Sequence, residues 1–222
     1  FATIIKAVAN GRNVYKNIKN AILFLLSGNM AGILAVLYTS LAALPVPFQP
    51  VHLLFINLLT DSLPALAIGM EPAERDVLSE KPRNPKGGIL ERRFMALLLG
   101  QGALIAVCTM ISFEVGLKES AALASTMAFA TLTLARLFHG FNCRSRHSIV
   151  KIGFRRNWYS LGAFALGVLL LALVLFVPAL KPLFEVETMN GMQLGCVGVM
   201  AVLPTFVIQN FKVVREVFDR EK

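Results

Sequence analysis

Charge is what this chain has least of. Only 16% of its 222 residues are Asp, Glu, Lys or Arg, while 56% are hydrophobic; a soluble domain of this length carries roughly a quarter charged residues. That shortfall argues against an ordinary solvated globule. Cysteine is sparse too: Cys108, Cys143 and Cys196 lie far apart without metal-ligand spacing, and Cys108 and Cys196 fall inside apolar segments as small hydrophobic thiols. No nucleophile with a partner base, no Cys/His cluster and no phosphate loop can be found. The net charge of +9 raises nucleic acid as a partner. The basic residues, however, sit in loops between apolar segments, and no basic face interleaved with aromatics appears, so nucleic acid is set aside. Phe1 is not an initiator methionine and nothing ahead of the first apolar segment resembles a signal peptide, so the chain is expected to be a domain cut from something longer.

What the chain has instead is long apolar runs. A membrane span needs about 20 mostly apolar residues, and candidates fall at 21–44, 51–70, 94–113, 121–141, 158–177 and 194–211. The expected fold is an all-α, polytopic membrane bundle of six transmembrane helices. Lys and Arg favour the cytoplasmic side, and here they sort cleanly. Lys6, Arg12, Lys16 and Lys19 precede the first span; Arg75, Lys81, Arg83, Lys86, Arg92 and Arg93 lie between the second and third. Arg144, Arg146, Lys151, Arg155 and Arg156 follow the fourth, and Lys212, Arg215, Arg220 and Lys222 follow the sixth, whereas the intervening loops hold only Lys118 and Lys181. Both termini are therefore expected in the cytoplasm. The chain divides into a stalk helix (1–20), a helical hairpin of the first two spans (21–70), a loop (71–93), a supporting four-helix region (94–211) and a tail (212–222). Pro45, Pro47 and Pro50 make the hairpin connection tight. Pro72, Pro82, Pro85 and the Gly87-Gly88 pair keep the long loop from being helical throughout.

Polar side chains at mid-span are costly, and an ionisable one is a functional candidate by default. In the second span Asn57, Thr60 and Asp61 stand at i, i+3 and i+4, on one face of a regular helix, and all present oxygens that suit a hard cation. Pro64 cannot donate a backbone bond. A helix interrupted beside Asp61 would free carbonyl oxygens at membrane depth, as at transporter ion sites. In the first span Asn29 lies about 13 Å from its start, and Asp61 about 15 Å from the far end of its own span, so the two meet at similar depth in an antiparallel hairpin. Gly28, Ala31 and Gly32 allow close backbone approach. Arg136, about 9 Å inside the fourth span, either snorkels to the interface or stands as a permanent internal cation near Asp61. His52, His139 and His147 lie near span ends and read as interfacial.

These residues resemble the P-type cation-transporting ATPases, and most closely the calcium pumps, over nearly the whole chain. The matching region there is the C-terminal membrane part, from the fifth to the tenth transmembrane helix. The resemblance is carried by Gly11-Arg12-Asn13-Val14-Tyr15-Lys16-Asn17, by Asn57-Leu58-Leu59-Thr60-Asp61-Ser62-Leu63-Pro64-Ala65 and by Lys81-Pro82-Arg83-Asn84-Pro85-Lys86; past Arg93 it is mostly topological. It implies ATP-driven export or sequestration of a cation through an aspartyl-phosphate cycle. Positions matching Asn57 and Asp61 supply ion ligands at the site shared with the fourth transmembrane helix, and those matching Asn29 and Thr60 belong to the neighbouring site of two-calcium members. Asn57, where sodium and proton pumps tend to carry a carboxylate, points to calcium.

Two departures matter. Gly32 and Arg136 align where two-site calcium pumps place glutamates. Removing two carboxylates and adding a cation should abolish one site, which gives a single-calcium pump with Arg136 standing in for the missing ion. The sequence contains no Asp-Lys-Thr-Gly phosphorylation motif. ATP and magnesium would act only through actuator, phosphorylation and nucleotide domains outside this chain, which with the preceding helices and membrane lipid are its expected partners. The loop from Glu71 to Arg93 is expected to contact the phosphorylation domain, and the compact design suggests a bacterial plasma membrane. The alternatives are a channel or secondary transporter that uses Asp61 without ATP, or a detached fragment with an assembly role. The coding sequence upstream of Phe1 separates them: the pump reading predicts a phosphorylation motif there, and its absence would favour an ATP-independent transporter.

Overall fold

The computed structural model describes residues 2–73 and 88–218. The expectations for Arg75, Lys81, Pro82, Arg83, Pro85, Lys86, Gly87, Arg220 and Lys222 lie outside the described residues. The six apolar runs all appear as helices long enough to cross a membrane, and no strand occurs among the described residues.

Helix α1 runs unbroken from Ala2 to Leu41. At 1.5 Å per residue its 40 residues extend about 60 Å, roughly twice the hydrocarbon thickness of a bilayer. The stalk and the first span are thus one rod. The second span is assembled from α2 (Pro50–Phe55), a π-helical turn (Ile56–Thr60) and α3 (Ser62–Gly69). Pro50 sits in the first turn of α2, where a missing N–H costs nothing. The remaining spans are α4 (Arg92–Leu117), α5 (Ala121–Cys143), α7 (Trp158–Phe176) and α9 (Gly191–Phe218). Short helices α6 (Ile149–Ile152) and α8 (Lys181–Phe184) lie in the connections.

Helix α5 is the axis of the bundle. Ala124, Ala128, Ala130 and Ala135 are fully buried, and so many small side chains let neighbours approach from all sides. Three hydroxyls on these helices are satisfied by their own backbone. Thr126 and Thr133 donate to the carbonyls of Ala122 (2.9 Å) and Phe129 (2.7 Å), and Thr109 to that of Ile105 (2.8 Å), each the carbonyl four residues back. Side-chain caps begin the helices: Ser120 accepts from the Leu123 N–H at 3.0 Å, and Asn157 from the Ser160 N–H at 3.1 Å.

Two glycines set the closest approaches to another helix's backbone among the described residues. A Cβ at Gly102 of α4 would lie 2.9 Å from the Ser27 carbonyl oxygen of α1, and one at Gly116 would lie 2.7 Å from Ala124 Cα of α5. Both obstacles are backbone and cannot swing aside. Gly11, by contrast, has nothing within 4 Å of such a Cβ among the described residues. Gly102→Ala is therefore expected to destabilise the bundle by about 1–3 kcal/mol, read as a lower thermal midpoint in detergent. Gly11→Ala should be neutral or stabilising by up to about 1 kcal/mol. Equal midpoints for the two variants would contradict the α1–α4 packing.

Candidate cation site

The site begins with an irregularity in the second span. The Asp61 N–H bonds the Ile56 carbonyl, five residues back, at 2.9 Å, so one extra residue is taken into the turn before Asp61. The expected interruption at Pro64 is corrected here. Pro64 falls in the first turn of α3, where a helix tolerates proline, and the helix is widened rather than broken. The wide turn also changes which residues share a face. Thr60 and Asp61 are buried, whereas Asn57 is exposed on the bundle surface.

Around Asp61 three spans contribute one polar layer. Arg136 of α5, 2% exposed, forms an ion pair through Nη2 with Asp61 Oδ2. The same nitrogen donates to Asn29 Oδ1 of α1 at 3.2 Å. Gly28 makes room for this, because a Cβ there would sit 2.6 Å from Arg136 Cζ. Arg136 thus pairs with Asp61 inside the bundle, while Asn29 reaches it from an exposed position on α1. Gly32 meets nothing within 4 Å of an added Cβ, and Ala31 is fully buried. Two atoms of the layer, Asp61 Oδ1 and Arg136 Nε, are buried without a hydrogen-bond partner among the described residues. Thr60 turns its hydroxyl onto its own backbone, donating to the Ile56 carbonyl at 3.0 Å. Of the sequence candidates, then, Asn29, Asp61 and Arg136 come together, Thr60 adjoins them, and Asn57 stands outside the contact.

Among the described residues no three His, Cys, Asp or Glu side chains converge to hold a metal ion. A hard cation such as calcium takes six to eight oxygens. One carboxylate with two neighbouring amide or hydroxyl oxygens is part of such a shell, and further ligands would have to arrive from outside these helices.

A second polar layer lies toward the stalk end, and sequence reasoning missed it. Glu71, just past α3, forms a two-pronged ion pair with Arg144, just past α5: Nε to Oε2 at 2.8 Å and Nη2 to Oε1 at 3.1 Å. Asn157 donates to Glu71 Oε2 and to the Ala67 carbonyl, both at 2.8 Å. From α1, Asn17 donates to the carbonyls of Glu71 (2.8 Å) and Gly69 (3.1 Å), Asn13 to that of Glu71 (3.2 Å) and Asn20 to that of Arg144 (3.0 Å). Asn13, Asn17 and Asn20 recur at helical spacing along one face, the one sequence signal that could have found this clamp.

The interfacial reading of two histidines is also corrected. His139 is fully buried, with Nε2 2.9 Å from Ser27 Oγ and Nδ1 3.3 Å from Asn142 Nδ2. His52 is fully buried too, stacked on Phe129 at 4.3 Å between centroids. Its Nδ1 accepts from the Gln49 N–H at 3.2 Å, which leaves Nε2 to donate to the Phe184 carbonyl at 2.7 Å. Both lie near span ends in sequence, but neighbouring loops and helices cover them. His147 is only partly exposed and pairs with Glu216 at 3.2 Å.

Comparison with known proteins gives a consistent result. The family model described as "Cation transporting ATPase, C-terminus" matches residues 45–214. The "Calcium-transporting ATPase" of Bacillus subtilis (strain 168) is 40% identical over 94% of this chain and 24% of the relative. The "Calcium-transporting ATPase 1" of Lactococcus lactis subsp. lactis is 38% identical over 99% and 25%, and the rat "Calcium-transporting ATPase type 2C member 2" 32% identical over 87% and 21%. The chain spans about a quarter of the length of these relatives.

Arg144→Met would leave Glu71 buried without its charge partner, and should cost about 3–5 kcal/mol, measured as a lower thermal midpoint. The double variant Glu71→Gln/Arg144→Met should cost less than the two single changes added together, because their effects are coupled. Simple additivity would mean that the two side chains do not act as a clamp.

Proposed function

Because the chain belongs to the C-terminal family of cation-transporting ATPases, we propose that it forms the fifth to tenth transmembrane helices of an ATP-driven calcium pump and carries one calcium ion per cycle. Both termini face the cytoplasm, in a bacterial plasma membrane. The 71–93 loop meets the phosphorylation domain of the complete pump. ATP and magnesium act through the actuator, phosphorylation and nucleotide domains, which lie in the rest of the protein, and the helices ahead of this chain complete the ion shell with Asp61, Asn57, Asn29 and Thr60.

The observation that carries this reading is the ion pair of Arg136 with Asp61 in a buried layer beside Asn29. A guanidinium keeps its charge at any working pH. Held against Asp61, it repels a second cation strongly in a medium of low dielectric. It also gives the carboxylate a partner whenever no ion is bound, which a buried charge requires. An arriving calcium ion would take over Asp61, using Oδ1 first, and the guanidinium would withdraw from the carboxylate. One carboxylate and one fixed cation suit one transported ion.

Equilibrium calcium binding to the full-length pump should saturate at one ion per molecule, and saturation at two would refute the proposal. Asp61→Asn should weaken calcium binding by at least roughly 10–100-fold, the loss seen on removing even an outer-shell partner of a metal. Arg136→Glu should change stoichiometry or the pH dependence of transport. If both stay as in the parent, Arg136 is a packing residue and the single-ion argument fails.

A further inference from the structure

We propose that a basic cavity at the stalk end of the bundle binds the phosphate headgroup of an anionic phospholipid. The cavity lies between α1, α4, the C-terminal end of α5 and α9, with a volume of about 550 Å³. That is within the roughly 300–1,000 Å³ range of small-molecule sites. Basic side chains dominate its lining among the described residues. Arg12, Lys16 and Lys19 come from α1 and Arg93 from α4; Arg146 follows α5, and Lys212 and Arg215 come from α9, with the carboxylate of Glu91 among them. Lys19 lies 3.7 Å from Glu91, and Lys212 caps the end of α5 by donating to the Ser145 carbonyl at 2.6 Å.

The preference of Lys and Arg for one face of the membrane accounts for their sign but not for their convergence. Here they come from four separate elements and ring a concavity, which is the arrangement that binds lipid headgroups between transmembrane helices. Arginine adds forked, bidentate recognition of phosphate oxygens.

The apolar part of the lining selects the occupant. Leu23 lies beyond Lys19 on α1, Leu97 one turn beyond Arg93 on α4, and Ile208 one turn before Lys212 on α9. All three are displaced from the charges toward the middle of their spans. The cavity is therefore basic at its mouth and mostly apolar on its membrane side, where Gln101 of α4 adds one amide. A phosphodiester head with the root of its acyl chains fits both halves, whereas a free phosphate uses one. The site shares no residue with the Asp61 layer, so it stands whether or not the calcium reading does.

The test uses the full-length pump, delipidated and placed in nanodiscs of phosphatidylcholine alone or doped with phosphatidylglycerol. Lipid retained by the protein is read by native mass spectrometry, and the thermal midpoint is followed with phosphatidylglycerol or with inorganic phosphate. The parent should retain phosphatidylglycerol in preference to phosphatidylcholine and gain stability from it, and inorganic phosphate should not reproduce the gain. Lys16→Gln/Arg93→Gln/Arg215→Gln should lower that preference by about fivefold for each side chain removed. Lys16→Arg/Arg93→Lys/Arg215→Lys, which keeps every charge and loses only the forked contacts, should keep most of it. Equal retention of the two lipids by the parent would overturn the proposal, as would an unchanged preference in the glutamine variant. Equal stabilisation by inorganic phosphate would assign the cavity to a free anion and would also overturn it.

Discussion

Asp61 and Arg136 lie midway along apolar helices, each almost inaccessible to solvent, and neither charge could stand there alone. Removing a carboxylate or a guanidinium from water costs several kcal/mol even after the surroundings relax. The cost is met only when the two meet with good geometry. Most of what is unusual in this bundle serves that meeting. Gly28 lacks a side chain where the guanidinium passes, α5 is lined with small residues so that α1 and the second span can close on it, and a wide turn aims Asp61 inward.

Two polar layers of similar composition are stacked along the same helices. The upper has Asn29, Asp61 and Arg136; the lower has Asn20, Glu71 and Arg144. The residues of the lower layer follow or precede their counterparts by eight to ten positions, about 12–15 Å along a helix. The difference is in saturation. Glu71 accepts from Arg144 through both oxygens and again from Asn157, while Asp61 keeps one oxygen without a partner among the described residues. A saturated layer fixes the helices in register. An unsaturated one can exchange its contacts.

The sequence showed the spans clearly, because uncharged apolar runs of about 20 residues are rarely compatible with anything but a bilayer. It showed Asp61 and Arg136 because charge inside such a run is conspicuous. It hid Glu71 and Arg144 for the opposite reason. Both fall among the charged residues that flank spans, where a further acid or base carries no signal until the fold turns it inward. His52 and His139 were misread on the same ground, since nearness to the end of a span in sequence says nothing about which loop will cover it. The wide turn at Ile56–Thr60 is a backbone property that the run Ile-Asn-Leu-Leu-Thr does not announce. Pro64 hinted that something irregular lay nearby, but not on which side of Asp61.

That turn has a mechanical consequence. The second span is gripped at one end by Glu71, held by Arg144, Asn157 and Asn17, and at the other by His52, wedged against Phe129 and tied to the Phe184 carbonyl. A uniform helix gripped at both ends is a torsion bar that can twist only by straining along its whole length. One surplus residue in the middle acts as slack in that bar. Passing that surplus residue from the turn before Asp61 to the turn after it would swing the carboxylate about the helix axis while both grips stayed still, so Asp61 could change the direction it faces without either end of the span leaving its place.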